Sequence, residues 1–293
     1  MLGAILGDIA GSRFEFSANR VMPNELFDNA CFPTDDTYLT LAVSNACCRA
    51  VDPRSVNFDA EALRNAVLLE TLRAYRAHPD AGWGSRFSFW ASSLLETMDS
   101  FDGIPTEWEP NQSAGNGAAM KVSPIPYSAN SLEMCKELTH VVTSVTHDHE
   151  DSYKAAECLT TSMYLALHGS DKDEIKANIL SYYPEVAEMS YTKLQRDYAY
   201  SQLARDTLPA AMVCFLDSSS FEEALKMAIS IGGDADTLGA ITGGLAEAFY
   251  KWNSKKESAR LSALVRSYGV PEKDLLRGLA RVEASLGESF YGE

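Results

Sequence analysis

The sequence predicts an all-α protein, and three observations carry that prediction. Apolar residues recur at three- and four-residue spacing along most of the 293 residues, the period of a helix with one buried face. Capping residues stand in front of these runs. Strand signals, meaning alternating β-branched residues bounded by Asn-Gly or Asp-Gly turns, are almost absent. Hydrophobic residues make up 46% of the chain, enough for a sizeable core, and no segment has the composition of a disordered region.

Taken in order, residues 59–77 form the first long periodic run, stopped by His78-Pro79. Asn130-Ser131-Leu132-Glu133 reads as a capping box opening a helix to about residue 146. Residues 150–168 make another helix, closed by Gly169. Ser220-Phe221-Glu222-Glu223 opens a helix that runs to Gly232-Gly233, and residues 237–252 follow at once. Residues 273–286 are a last amphipathic run. The loosest stretch, 101–113 with Pro105, Trp108 and Pro110, reads as a surface loop. No Gly, Pro or Ser linker divides the chain and no solenoid period repeats. The expectation is therefore one multi-helix domain over residues 1–293.

The 25 basic residues are outnumbered by 41 acidic ones, giving a net charge of −16. Such a surface repels phosphate backbones and anionic membranes, so a nucleic-acid or lipid binder is not expected. If the substrate carries phosphates, bound cations and helix N-termini must offset the repulsion. The six cysteines (Cys31, Cys47, Cys48, Cys135, Cys158, Cys214) contain no Cys-x-x-Cys pair, which reads as buried, reduced thiols. The first residues have no basic stretch before their short apolar run, and nothing approaches the ~20 apolar residues of a membrane helix. The expected location is cytoplasmic.

Two acid clusters lie near opposite ends of the chain, Thr34-Asp35-Asp36-Thr37 and Gly232-Gly233-Asp234-Ala235-Asp236-Thr237. Each begins an apolar helix and offers paired carboxylates beside threonine hydroxyls, the oxygen ligands that Mg²⁺, Mn²⁺ and Ca²⁺ prefer. Residues two apart within a helix point about 200° away from each other, so Asp234 and Asp236 converge only on a turn just before one. The preceding glycine pair supplies such a turn. Either cluster alone also reads as plain helix capping. The two together read as halves of one metal site. Neither matches the calcium-loop pattern of an EF-hand.

Three further stretches carry weaker signals. Glu15, between Phe14 and Phe16, is a candidate for a raised pKa and acid–base work, although an exposed Glu between part-buried aromatics is the commoner outcome. Ala114-Gly115-Asn116-Gly117-Ala118-Ala119-Met120-Lys121 places a glycine-rich turn before a short apolar helix, where backbone N–H groups can meet an anion; alone it is more often just a loop. Thr146-His147-Asp148-His149 follows a helix and lacks a third zinc ligand nearby, leaving a ligand-contacting His or one satisfied by the helix end. The Cys47-Cys48 pair has no basic partner, and no nucleophile elbow or Walker loop occurs.

In this order the pieces resemble the ADP-ribosylglycohydrolases, the family that includes dinitrogenase reductase-activating glycohydrolase. The resemblance runs through GAILGDIAGSRFEF from Gly3, FPTDDTYLT from Phe32, GNGAAMKVSPI from Gly115, THDH from Thr146 and GGDADTLGAITGG from Gly232. It implies an all-α fold holding two Mg²⁺ or Mn²⁺ ions, and hydrolysis of the N- or O-glycosidic bond between ADP-ribose and an acceptor. It implies Thr34, Asp35, Asp36, Asp234, Asp236 and Thr237 as metal ligands, with Asp36 and Asp236 essential to catalysis and Glu15 as the acid–base carboxylate. Gly115, Asn116, Gly117, Ala118, Met120 and Gly233 would cradle the substrate, His147 would touch it, and Asp8 would support the ligands from behind. The substrate would be an ADP-ribosylated protein or small molecule, the product ADP-ribose.

Two departures stand out. Lys121 occupies a position where the family usually has arginine, which loses a bidentate grip if that residue touches phosphate. Glu150 replaces a common proline after His149 on the expected adenosine side. The acceptor stays open between arginine, serine, a nucleobase and a small metabolite. A non-catalytic ADP-ribose binder or crystallin-like protein is the alternative to an enzyme, and a metal hydrolase of phosphate esters a third reading.

Overall fold

The computed structural model describes residues 1–17, 20–98, 100–101, 103–105, 107–252 and 255–286. Among them the chain forms fourteen α-helices and no strand: α1 (Leu2–Ser12), α2 (Asp35–Ala50), α3 (Ala60–Ala77), α4 (Ser85–Glu96), α5 (Gly117–Met120), α6 (Leu132–Ser144), α7 (Glu150–Leu167), α8 (Lys172–Tyr182), α9 (Tyr191–Asp197), α10 (Ala204–Asp217), α11 (Phe221–Ala228), α12 (Ala235–Tyr250), α13 (Lys255–Ser267) and α14 (Glu272–Leu286). Short 3₁₀ turns occupy Pro126–Ser128 and Pro184–Glu188. The all-α expectation holds.

The axis of the molecule is the pair α1 and α12, helices from opposite ends of the chain. Every residue of α1 is buried. Gly3, Gly7 and Gly11 share one face of α1, because residues four apart stack on a helix. They meet Gly243, Gly239 and Ala235 of α12 in reverse order, so the helices run antiparallel. A Cβ on Gly7 would lie 1.9 Å from the Gly239 carbonyl oxygen, and one on Gly3 or Gly11 within 2.3 Å of the facing carbonyl. Only glycine admits backbones this close. The consequence for the site is direct: the C-terminal end of α1, leading to Glu15, is pinned beside the N-terminal end of α12, which carries Asp234 and Asp236. Around this pair, α2 packs on α3, α6 on α7, α10 and α11 on α12, and α14 on α2.

Local signals explain most boundaries. Asp59 caps α3 by accepting from Ala62 N at 3.0 Å, and Gly169 ends α7 with φ +90°. Several boundaries differ from the sequence reading, and α12, which runs Ala235–Tyr250, begins and ends two residues earlier than the reading of 237–252. The cap of α6 is Ser131, accepting from Met134 N at 3.1 Å, one residue later than the Asn130 box; the helix ends at Ser144. Helix α11 stops at Ala228, well before Gly232. Arg20 reaches in from the N-terminal region and donates to the carbonyls of Leu194 (3.2 Å), Gln195 (2.9 Å), Tyr198 and Ile231 (2.6 Å). Arg20 thereby ties the segment after α11 to the end of α9, and the chain turns at Gly232, whose φ is +70°.

The stretch 101–113 is not simply a surface loop. Asp102 and Thr106 lie outside the described residues, but its far end turns inward: Asn111 is buried and accepts from Arg86 Nε at 3.1 Å. The six cysteines are free thiols, all buried except the half-buried Cys48. No described helix is long and apolar enough to cross a membrane.

Candidate active site

Asp8, fully buried on α1, anchors the first acid cluster. Its carboxylate accepts from the backbone N–H groups of Thr34 (3.0 Å) and Thr37 (3.1 Å) and from both hydroxyls, that of Thr34 at 2.7 Å. These four bonds fix the first turn of α2, where Asp35 and Asp36 stand side by side. Thr34 is the helix cap, its oxygen accepting from Asp36 N at 3.3 Å, so its hydroxyl is engaged on both sides and lies behind the cavity rather than in its wall.

The second cluster begins α12. Asp234 occupies the cap position yet makes no capping bond. Its carboxylate accepts instead from Asn116 Nδ2 at 2.8 Å, and the same amide donates to Thr207 Oγ1 at 3.3 Å. Thr237 Oγ1 then spans the two clusters by donating to Asp36 Oδ2 at 3.3 Å. Oxygens of Glu15, Asp234 and Asp236 all lie within 4.8 Å of one another. The structure thus brings Glu15, read from sequence as a separate acid–base group, into the same cluster as the α12 acids.

Both clusters face one cavity of about 240 Å³. Glu15, Asp35, Asp36, Asp234, Asp236 and Thr237 form one wall; Gly115, Asn116, Gly117, Met120 and His147 form part of another. Asp8, Thr34 and Ala118 sit behind this lining. Gly233 turns away into a neighbouring cleft, with Tyr198 so close that a Cβ would fall 2.6 Å from its ring.

Crowded carboxylates resist ionisation, because burial and like charges both penalise the anion. Burial first, then the charges of Asp8 and Asp234, pushes Asp35 up to about 8. Burial followed by Asp234 and Asp8 raises Glu15 to about 7. Of the two flanking rings, Phe14 is partly buried, whereas Phe16 is 85% exposed and adds little to that burial. Asp36 and Asp236 are pushed well above the ordinary range, chiefly by burial and then by neighbouring aspartates. Asp8 reaches about 6 through burial, held back by its four hydrogen bonds. An all-oxygen donor set with this unrelieved negative charge suits a hard divalent cation. Asp36 Oδ1 is buried with no hydrogen-bond partner, an orphaned oxygen that a hard cation would satisfy.

The opposite wall is built differently. Lys121 is 1% exposed and does not reach the cavity lining, so it is no phosphate contact. Its ammonium donates to Thr146 Oγ1 and lies 3.2 Å from His147 Nδ1; Thr146 Oγ1 is itself 2.8 Å from that nitrogen. Burial, then the Lys121 and Arg86 charges, holds the His147 pKa well below its usual value, so the ring is neutral. With Nδ1 accepting, the proton sits on Nε2, which faces the glycine turn. A Cβ on Gly117 would lie 2.8 Å from that nitrogen.

Several lining residues carry no sequence signal: Gly82, Gly84, Ser85 and Arg86 at the start of α4, then Asn111, Ser113 and Gln202. The N-terminus of α4 has no side-chain cap, so free N–H groups and the Arg86 guanidinium stand where an anion would be welcome.

The profile of the ADP-ribosylglycohydrolase family matches residues 1–283. The chain belongs to that family. It is 27% identical over 266 residues to the ADP-ribosylarginine hydrolase Tri1 of Pseudomonas putida (strain GB-1), covering 85% of this chain and 69% of that one. It is 23% identical over 339 aligned positions to the human ADP-ribosylhydrolase ARH3, covering 94% and 90%. Among solved structures, an ADP-ribosylglycohydrolase-related protein complex superimposes with a TM-score of 0.60 at 22% identity over 97% of both chains, a likeness of fold.

Proposed function

We propose that this family member is a metal-dependent hydrolase of the glycosidic bond between ADP-ribose and an acceptor. The observation that carries the reading is the convergence of acid clusters from opposite ends of the chain with Glu15 on one cavity. A pure binder has no use for so many crowded carboxylates. The names of the relatives, ADP-ribosylarginine hydrolase and ADP-ribosylhydrolase, point the same way.

In this reading Asp35, Asp36, Asp234, Asp236 and Thr237 hold two Mg²⁺ or Mn²⁺ ions, with Thr34 and Asp8 fixing the loop and Asn116 orienting Asp234. Bound there, such ions would supply Lewis acidity toward the hydroxyl oxygens of the ribose. The diphosphate answers to Arg86, the N-terminus of α4, the Gly115–Gly117 turn and the Nε2–H of His147. This basic wall lets a chain of net charge −16 hold a nucleotide. In the reaction the bond from the anomeric carbon to acceptor nitrogen or oxygen breaks, its electron pair leaving with the acceptor. Water oxygen bonds to the anomeric carbon and gives a proton to Glu15, which returns it to the acceptor. The carboxylates steady the oxocarbenium-like charge.

The test is release of free ADP-ribose from arginine- and serine-linked substrates with Mg²⁺, Mn²⁺ or EDTA, beside Asp236→Asn. Release that needs metal and is lost in the variant is expected. Equal turnover in EDTA, or in the variant, would remove the metal reading; ADP-ribose binding with no turnover on any acceptor would leave a binding protein.

A further inference from the structure

Glu15 lines two cavities at once. Beyond the main one lies a second cleft of about 410 Å³, walled by Glu15, Phe16, Arg20, Tyr200 and Gly233 among others. The rings of Phe16 and Tyr200 stack at 6.4 Å with 29° between their planes. They are 85% and 45% exposed, so neither is there to fill a core. Tyr200 is not a stray surface ring: Gln202, which lines the main cavity, donates to its hydroxyl at 3.0 Å. The two spaces therefore adjoin at Glu15 and at the Gln202–Tyr200 link.

We propose that Phe16 and Tyr200 form the acceptor subsite and take the guanidinium of an ADP-ribosylated arginine against their faces. The inference rests on the reading that ADP-ribose fills the main cavity. An acceptor must leave the anomeric carbon on the side of Glu15 away from the nucleotide, and that side is this cleft. In an arginine linkage the flat cation is bonded directly to the anomeric carbon, so it lies beside Glu15 at once. Guanidinium groups stack on aromatic faces and gain cation–π attraction there. Arg20, the cleft's own cation, gives its terminal nitrogens to four carbonyls, leaving the open side to the rings and the carboxylate. A serine linkage offers no flat charged group to these rings. A nucleic-acid acceptor brings phosphates that the acidic surface repels.

The experiment compares kcat and KM on two peptides of one sequence, ADP-ribosylated on arginine or on serine, for the wild type, Phe16→Ala, Tyr200→Ala and the double variant. Calorimetric affinity for ADP-ribose is measured alongside. Both side chains are exposed, so folding should survive. The wild type should favour the arginine peptide. The double variant should lose about tenfold on it, mostly in KM, with little change on the serine peptide and none in ADP-ribose affinity. Unchanged KM in the double variant, an equal loss on both peptides, or a wild type that cleaves only the serine peptide would overturn the subsite assignment while leaving the hydrolase standing. A wild type that neither binds ADP-ribose nor cleaves either peptide would instead bring down the functional reading itself.

Discussion

The two walls of the cavity both bury ionisable groups, and they do so in opposite ways. The acid wall crowds Glu15, Asp35, Asp36, Asp234 and Asp236 together with no protein cation among them, and keeps one carboxylate oxygen without a partner. Behind the opposite wall, His147 rests on the buried amine of Lys121, which burial pulls down to about 7 and which is held by the Thr146 hydroxyl and the ring nitrogen. One wall leaves its negative charge unrelieved by any cationic side chain within the cluster. The other is finished, and presents a fixed donor. Their attachment differs too, since the acid wall depends on the α1–α12 contact while Lys121 and His147 follow α5 and α6.

The largest effect should come from breaking that contact. Gly7→Leu drives a side chain into the Gly239 carbonyl, and overpacking of this kind costs several kcal/mol with backbone displacement. Loss of cooperative thermal unfolding, or a large fall in Tm, is expected. A melting curve like that of the wild type would mean the helices can part without cost to the fold.

Asp8→Asn strikes the acid wall more gently. It keeps the shape but disturbs the four bonds that set Thr34 and Thr37. Supporting groups behind metal ligands are worth about 10–100-fold in metal affinity, and a loss of that size in Mn²⁺ binding is expected with Tm little changed. Undiminished Mn²⁺ affinity would show that the first turn of α2 holds itself.

The pH dependence separates the walls directly. Asp8, Glu15 and Asp35 have folded pKa values raised to about 6, 7 and 8, above the ordinary carboxylate value near 4. The folded state then binds more protons than the unfolded one, so stability falls as pH rises between those limits. Protein in EDTA should melt at lower temperature at pH 8 than at pH 5. Added Mg²⁺ should raise Tm most at pH 8. A metal-free Tm that climbs from pH 5 to pH 8 would contradict the crowding.

The smallest effect belongs to Lys121→Met. Removing a buried cation with no carboxylate partner should leave Tm close to the wild type. It frees His147 Nδ1 from its donor, so nitrogen NMR should report a loss of the single tautomer and ADP-ribose affinity should drop by a few-fold, on the order of one hydrogen bond. An unchanged tautomer would assign the orientation to Thr146 alone.

Much of this was legible in the sequence where chemistry and local geometry coincide. Asp59 and Gly169 mark helix ends because caps act over one turn, and the acid clusters announce themselves because hard-cation ligands need carboxylates close together. The stripes Gly3-Gly7-Gly11 and Ala235-Gly239-Gly243 were also present at helical spacing, but only their pairing across the fold gives them meaning. Arg86, Asn111 and Gln202 could not be read, since each reaches the cavity by a path set in tertiary structure. The sequence reading ran α11 on to the glycine pair, whereas it stops at Ala228 and the segment beyond is tied down by Arg20, a partner far away in sequence. Lys121 was open to a phosphate role by position in a motif; its burial behind His147 shows it is turned the other way.

The central claim is that the acid clusters of α2 and α12 make one cation-binding centre. Calorimetric titration of Mn²⁺ into the wild type, Asp36→Asn and Asp236→Asn tests it most directly. The account predicts that each substitution, made on a different helix at a different end of the chain, weakens the same binding event while both proteins stay folded. Wild-type Mn²⁺ affinity in either variant would contradict it.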